Sequence, residues 1–265
     1  MKKAIFRVLL FFIGLYVLVV YYVYASQEDF IFFPTKLSKT YQFNYNLNFE
    51  EVNLKAKDGL TINGLFFPAK NSKGVIYFLH GNVDNLSTWG NVSELYLNLN
   101  YSVFIIDYRG FGKSQGHIEN EKQIIDDAQL GYDFLRKRFA ENQIIVMGYS
   151  IGTGIASSLS SKNQPKRLIL MAPYYSLTYE METRFPILPT FILKYNFENY
   201  KNISKTKCPV YIFHGENDQL LSYSKSLELK KYFKKGDAFI SLANQGHNFI
   251  NDNPDFQEEI EKILN

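Results

Sequence analysis

Gly148-Tyr149-Ser150-Ile151-Gly152 fits the pattern G-x-S-x-G and stands where the apolar run Ile144-Ile145-Val146-Met147 gives way to small residues. The run before it is β-branched enough to be a central strand. The small residues after it, Thr153, Gly154, Ala156, Ser157 and Ser158, read as a helix packed close beneath a sheet. A serine on so tight a strand-to-helix turn is held in strained geometry with its hydroxyl exposed, and glycines two residues to either side let the backbones approach. Ser150 is therefore the candidate nucleophile. The pentapeptide also arises by chance in glycine-containing loops, so its weight comes from the strand before and the helix after.

Outward from this turn the chain alternates between strand and helix patterns. Residues 75–79 and 103–106 are continuous apolar runs, as strands buried on both faces of a parallel sheet are. Residues 168–171, 210–213 and 238–242 supply further strands. Upstream, 50–57 and 60–68 alternate apolar and polar around Asp58-Gly59, which predicts an antiparallel hairpin. Between the strands, 87–99 can hold a helix. Asn120-Glu121-Lys122-Gln123 resembles a capping box ahead of Ile124, Ala128, Gly131 and Leu135 at helical spacing. Pro254 opens a closing helix carrying Phe256, Ile260 and Ile263. The aromatic stretch 174–207, with Pro186 and Pro189, reads as a short lid. This is an α/β pattern: a mostly parallel, doubly wound sheet whose sites lie at the carboxyl ends of its strands.

A chain of 265 residues, 46% hydrophobic and 21% charged, has material for one sizeable core. The formal net charge of +3 is spread without a long basic run, which argues against nucleic-acid binding. The single cysteine, Cys208, can form no intramolecular disulfide and reads as a small buried hydrophobe. Residues 4–25 are almost wholly apolar and aromatic, long enough as a helix to cross a hydrocarbon core of about 30 Å. Lys2, Lys3 and Arg7 lie on its N-terminal side and Glu28 and Asp29 come after it, so the positive-inside rule puts the rest of the chain on the non-cytoplasmic side. The competing reading is a signal peptide cleaved after Val23-Tyr24-Ala25, although the apolar run exceeds the usual length. The expected organisation is an anchor over 1–25, a linker over 26–48 and a catalytic domain over 49–265. Phe30-Ile31-Phe32-Phe33-Pro34 fits either the membrane surface or packing on the domain.

A serine hydroxyl needs a base in contact, and that base needs a group to fix its tautomer. Of the four histidines, His80 and His214 precede glycines at strand ends and His117 lies in a loop upstream of Ser150. His247 alone comes after the last predicted strand, in Asn244-Gln245-Gly246-His247-Asn248-Phe249. Asp218 lies beyond the 210–213 strand in Gly215-Glu216-Asn217-Asp218, with Glu216 as the rival acid. Taken singly, a loop histidine is usually solvated and such an aspartate is usually a turn former. Three at successive strand ends in the order Ser, Asp, His form a constellation. Donors for an oxyanion are expected from the N–H groups of Ile151, at the helix start, and Asn82, after His80-Gly81, with Val83 the neighbouring alternative.

His80-Gly81-Asn82, Asp107-Tyr108-Arg109-Gly110-Phe111-Gly112-Lys113-Ser114, Gly148 to Gly152, Asp218 and His247 together resemble the α/β-hydrolase family from about residue 50 to the C-terminus. The chain is especially similar to a small single-pass membrane-anchored branch with serine-aminopeptidase-like and depalmitoylase-like domains, in which a Phe-Phe-Pro segment succeeds an anchor. The resemblance implies a serine hydrolase acting on a small-molecule or lipid-like acyl substrate, with no metal or organic cofactor. It implies a bracing role at the site rim for Asp107 and Arg109. Phe249 departs from relatives that carry an acidic residue after His-Asn, which bears on substrate and not on the triad. An aminopeptidase or amidase uses the same acyl-enzyme chemistry and is the enzymatic alternative; a non-catalytic membrane scaffold is the alternative outside enzymes.

Overall fold

Side chains leave a strand on alternate faces, and in Val75–Leu79 this sends Val75, Tyr77 and Leu79 into one core and Ile76 and Phe78 into another. All five are buried. That is why the run is apolar without alternation: the sheet is covered on both sides. In the computed structural model, which describes residues 1–265, eight strands form this sheet. They are β1 (Glu50–Lys55), β2 (Thr61–Phe67), β3 (Val75–Leu79), β4 (Ser102–Ile106), β5 (Ile144–Tyr149), β6 (Arg167–Met171), β7 (Val210–Gly215) and β8 (Ala238–Leu242). Their spatial order is β1-β2-β4-β3-β5-β6-β7-β8. β2 runs antiparallel to both β1 and β4, and every other pairing is parallel.

The sequence order reverses direction at β3, which sits between β4 and β5, so the carboxyl ends of β3 and β5 flank a crevice of the kind in which α/β sheets bind ligands. Leu79 stands opposite Gly148 there. Helices α2 (Glu121–Arg136) and α3 (Ile151–Lys162) cover one face with Ile124, Ala128, Leu135, Ile155 and Leu159. Helix α6 (Pro254–Leu264) covers the other with Phe256, Ile260 and Leu264. Capping obeys the expected chemistry: Asn120 Oδ1 accepts from the Gln123 amide and Gln123 Oε1 accepts from Glu119. The helix expected over 87–99 is two short pieces, Leu86–Trp89 and Ser93–Asn98, joined by a tighter turn at Gly90–Val92.

Helix α1 (Lys2–Ala25) is long and apolar enough to cross a membrane, and none of it is buried against the domain. The segment after α1 is more than a bare tether. Phe33–Pro34 pairs in parallel with Val83–Asp84, the Phe33 amide donates to the Asn82 carbonyl at 2.8 Å, and the Leu37 amide donates to Gly112 at 2.9 Å. Phe32 and Phe43 are buried. The aromatic patch after α1 is thus divided, Phe32 in the core and Phe30 and Phe33 exposed. The lid is divided too. Tyr174, Tyr195 and Phe197 belong to the core, while helices α4 (Leu177–Arg184) and α5 (Asn199–Lys205) flank a tip where Phe185, Ile187 and Phe191 are exposed.

Candidate active site

Ser150 holds φ 52° and ψ −117°, a backbone state that side-chain-bearing residues rarely adopt. The chain is forced through it because the Ser150 amide still donates to the Met171 carbonyl, at 2.9 Å, while Ile151 already begins α3. The turn closes only with glycine beneath it. A Cβ on Gly152 would overlap the carbonyls of Leu79 and His80, and one on Gly148 would overlap Gly152 and Ala156. These two glycines let α3 start against the end of β3, so the turn's sequence pattern is a packing requirement.

Ser150 Oγ lies 3.0 Å from His247 Nε2, and His247 Nδ1 lies 2.7 Å from Asp218 Oδ2. With Nδ1–H donating to the carboxylate, Nε2 is left with its lone pair facing the serine hydroxyl. The second carboxylate oxygen, Oδ1, accepts from the amides of Leu220 and Leu221, both at 2.8 Å. Burial opposes charge on Asp218, but the imidazoles of His214 and His247 and the Leu221 amide outweigh it and hold the carboxyl well below its ordinary value. His214 is fully buried with Nε2 3.1 Å from Asp218 Oδ2. This close contact is among those that favour the charged form of the carboxylate. Glu216 is exposed and forms no bond to His247.

The expected oxyanion donors flank the serine. Ile151 is the first residue of α3, where N–H groups have no carbonyl one turn back. The Asn82 amide donates to no protein acceptor, while its side chain donates to the Ile31 carbonyl at 2.7 Å and its carbonyl accepts from Phe33. Val83 belongs to the short strand pair. Residues just after α1 therefore fix the loop that carries Asn82.

Two features escaped the sequence. Tyr149 Oη donates to the His247 carbonyl at 2.6 Å and pins the histidine loop from the residue next to the serine. The Asn217 amide donates to the Gln245 carbonyl at 2.9 Å, tying the aspartate loop to the histidine loop. Neither has a motif, since both act through backbone carbonyls whose positions only the fold determines.

Of the rim pair, Asp107 is fully buried and its Oδ1 accepts from the Leu86 amide at 3.0 Å. Burial raises its carboxyl above the ordinary value, with His80 and the Leu86 amide opposing. Arg109 grips Asp127 of α2 with two hydrogen bonds, at 2.6 and 3.0 Å, and reaches Asp58 of the β1–β2 turn. Burial pushes the Cys208 thiol up to about 11, which makes it a poor nucleophile. Side chains of the four metal-ligating types form no cluster able to hold a metal ion.

Residues 70–197 match the family described as serine aminopeptidase, S33. Human alpha/beta hydrolase domain-containing protein 17B is 31% identical over 186 residues, which cover 68% of this chain and 62% of that protein. Taken with the sheet order, these matches decide the family. The chain belongs to the α/β-hydrolases. It spans under two thirds of the 17B proteins but 92% of an α/β-hydrolase named L404 from Acanthamoeba polyphaga mimivirus, to which it is 28% identical over 249 residues, 90% of its own length. The same fold occurs in the esterase Pf2001 of Pyrococcus furiosus, with a TM-score of 0.70 at 19% identity over 88% of this α/β-hydrolase and 97% of the esterase. An α/β-hydrolase of Vibrio vulnificus superposes with a TM-score of 0.65 at 20% identity, covering 82% and 80% of the two chains.

Proposed function

We propose that this chain is a membrane-anchored serine hydrolase that cleaves an acyl ester or thioester through an acyl-enzyme on Ser150. One observation carries the proposal: the continuous line from Ser150 Oγ through His247 to Asp218, at 3.0 and 2.7 Å. In the first half-reaction Oγ bonds to the acyl carbon as its proton moves to His247 Nε2. The carbonyl electrons pass to oxygen, and the amides of Asn82 and Ile151 donate hydrogen bonds to the oxyanion so formed; one such donor is worth about 3 kcal/mol. Collapse expels the alcohol or thiol, which takes the proton from His247. Water then repeats the sequence and releases the acid.

Helix α1 acts as the anchor, with Lys2, Lys3 and Arg7 on the cytoplasmic side and the hydrolase domain on the other. Protease added to intact cells should then reach the domain, and protection would reverse the orientation.

The decisive experiment is labelling by a fluorophosphonate probe. The parent chain should label and Ser150→Ala should not, at an unchanged melting temperature, because alanine fits the same turn. His247→Ala should cost nearly as much, and Asp218→Asn less, as members of a triad act as a unit. Labelling of Ser150→Ala would remove the nucleophile assignment. The aminopeptidase reading is favoured by the description of the matching family. A series of esters and thioesters set beside aminoacyl amides separates the two. Each methylene accommodated should improve binding by up to about 0.8 kcal/mol, whereas a flat profile with faster amide cleavage selects the peptidase.

A further inference from the structure

Lid residues 185–193, Phe185-Pro186-Ile187-Leu188-Pro189-Thr190-Phe191-Ile192-Leu193, form an uncharged stretch between Arg184 and Lys194. It ends α4 and projects from the domain, with Phe185 55%, Ile187 75% and Phe191 86% exposed. Apolar side chains that open to water in a lid with a formed core beneath it need an occupant.

Two contacts with α1 show what surrounds them. At one edge of the tip Lys194 Nζ lies 5.0 Å from the centre of the Tyr24 ring and 3.1 Å from Glu28, at the end of the apolar helix. At the other, Tyr16 Oη donates to the Ile187 carbonyl at 2.8 Å. Tyr16 precedes Tyr24 by eight residues, about 12 Å along a helix. The charged edge of the lid is thus level with the end of α1, and its apolar tip is level with the middle of α1. Gln27 locks this arrangement, donating to Ile192 at 2.7 Å and accepting from the Lys194 amide at 2.9 Å.

We propose that the lid tip, residues 185–193, is embedded in the lipid leaflet from which α1 emerges, as a second membrane contact that lies beside the anchor. The proposal rests on α1 being a membrane helix. Unpaired polar groups are costly in such a medium, and most of the tip's amides are provided for. Pro186 and Pro189 have no N–H, and the amides of Phe185, Leu188, Ile192 and Leu193 are bonded, while those of Ile187, Thr190 and Phe191 have no protein partner and are left to lipid ester oxygens. The Tyr16 hydroxyl, which at that depth would find no water, has its partner in Ile187. The span from Tyr24 to Tyr16, about 12 Å, sets the depth of the tip a little beyond the roughly 5–10 Å that interfacial apolar segments achieve, and Lys194, beside Tyr24, stands where headgroups lie.

The test uses the full chain in phosphatidylcholine vesicles whose acyl chains carry nitroxide quenchers. With Cys208→Ala removing the native thiol, an environment-sensitive fluorophore is attached at Ile187→Cys or Phe191→Cys. Val17→Cys in α1 and Glu258→Cys on the far helix serve as references, and only variants that melt with the parent are used. The expected result is quenching at 187, 191 and 17, with none at 258. Quenching at 17 alone overturns the lid proposal and leaves the anchor standing; no quenching at 17 removes the anchor and the proposal with it. Hydrogen exchange on the unsubstituted chain gives an independent reading. In vesicles the Ile187 and Phe191 amides should exchange far more slowly than that of Gly236 in an exposed turn, and equal rates would overturn the proposal.

Discussion

The carboxylate of Asp218 takes a hydrogen bond from His247 on one oxygen and two backbone amides on the other, with His214 beside it. These contacts favour its charged form in the folded chain alone. The unfolded carboxyl titrates near about 3.9, so the stability it contributes is fully present above that pH and is lost as pH falls toward the lower folded value. The melting temperature of Asp218→Asn should therefore lie below the parent's at neutral pH, and the gap should narrow in acid below about pH 4. A gap that widened in acid would contradict the assigned contacts. Tyr149→Phe removes a single bond to the His247 loop. It should cost about 0.5–1.5 kcal/mol of stability and lower kcat by up to about tenfold while KM holds, as steady-state kinetics would show. Ser150, Asp218 and His247 were each legible because each lies past a strand whose apolar run is readable. His214 and Tyr149 were not: a buried histidine and a tyrosine bonded to a carbonyl look the same in sequence whether or not the triad lies beside them.

Among the elements, the strand-to-helix junction tolerates least. Gly152 lets α3 start in contact with the carbonyl ends of β3, so Gly152→Ala must push the helix off the sheet. The overpacking should cost about 1–3 kcal/mol and open the oxyanion position. Thermal melting and probe labelling should fall together. The sheet strands were legible because burial on both faces leaves long apolar runs, and α2 because its cap and its spacing agree. The lid was legible as an aromatic stretch but not in its sorting. Nothing in composition separates Phe197, fully buried over α3, from Phe191, 86% exposed. The same limit applied to residues 26–48, whose polar stretches look like a linker while Phe32 and Phe43 are drawn into the core.

For the molecule as a whole, the sheet order and the segment after α1 decide what can be removed. A chain shortened to begin at Gln27 keeps the Gln27 and Glu28 contacts to the lid and the Phe33–Pro34 pairing with Val83–Asp84. One shortened to begin at Glu50 loses these and uncovers the pockets of Phe32 and Phe43, at about 1.5–3 kcal/mol each. Its melting temperature should fall on the order of 10 °C below that of the longer form, with weaker probe labelling because the Asn82 loop has lost its partner strand. Equal melting of the two forms would mean that the segment only decorates the domain. The strand pair begins downstream of Val23-Tyr24-Ala25, the point at which a signal-peptidase-like cut would fall. A domain released there would keep the Asn82 loop braced, giving up the contacts of Tyr16 and Tyr24 with the lid and none of the scaffolding around Ser150.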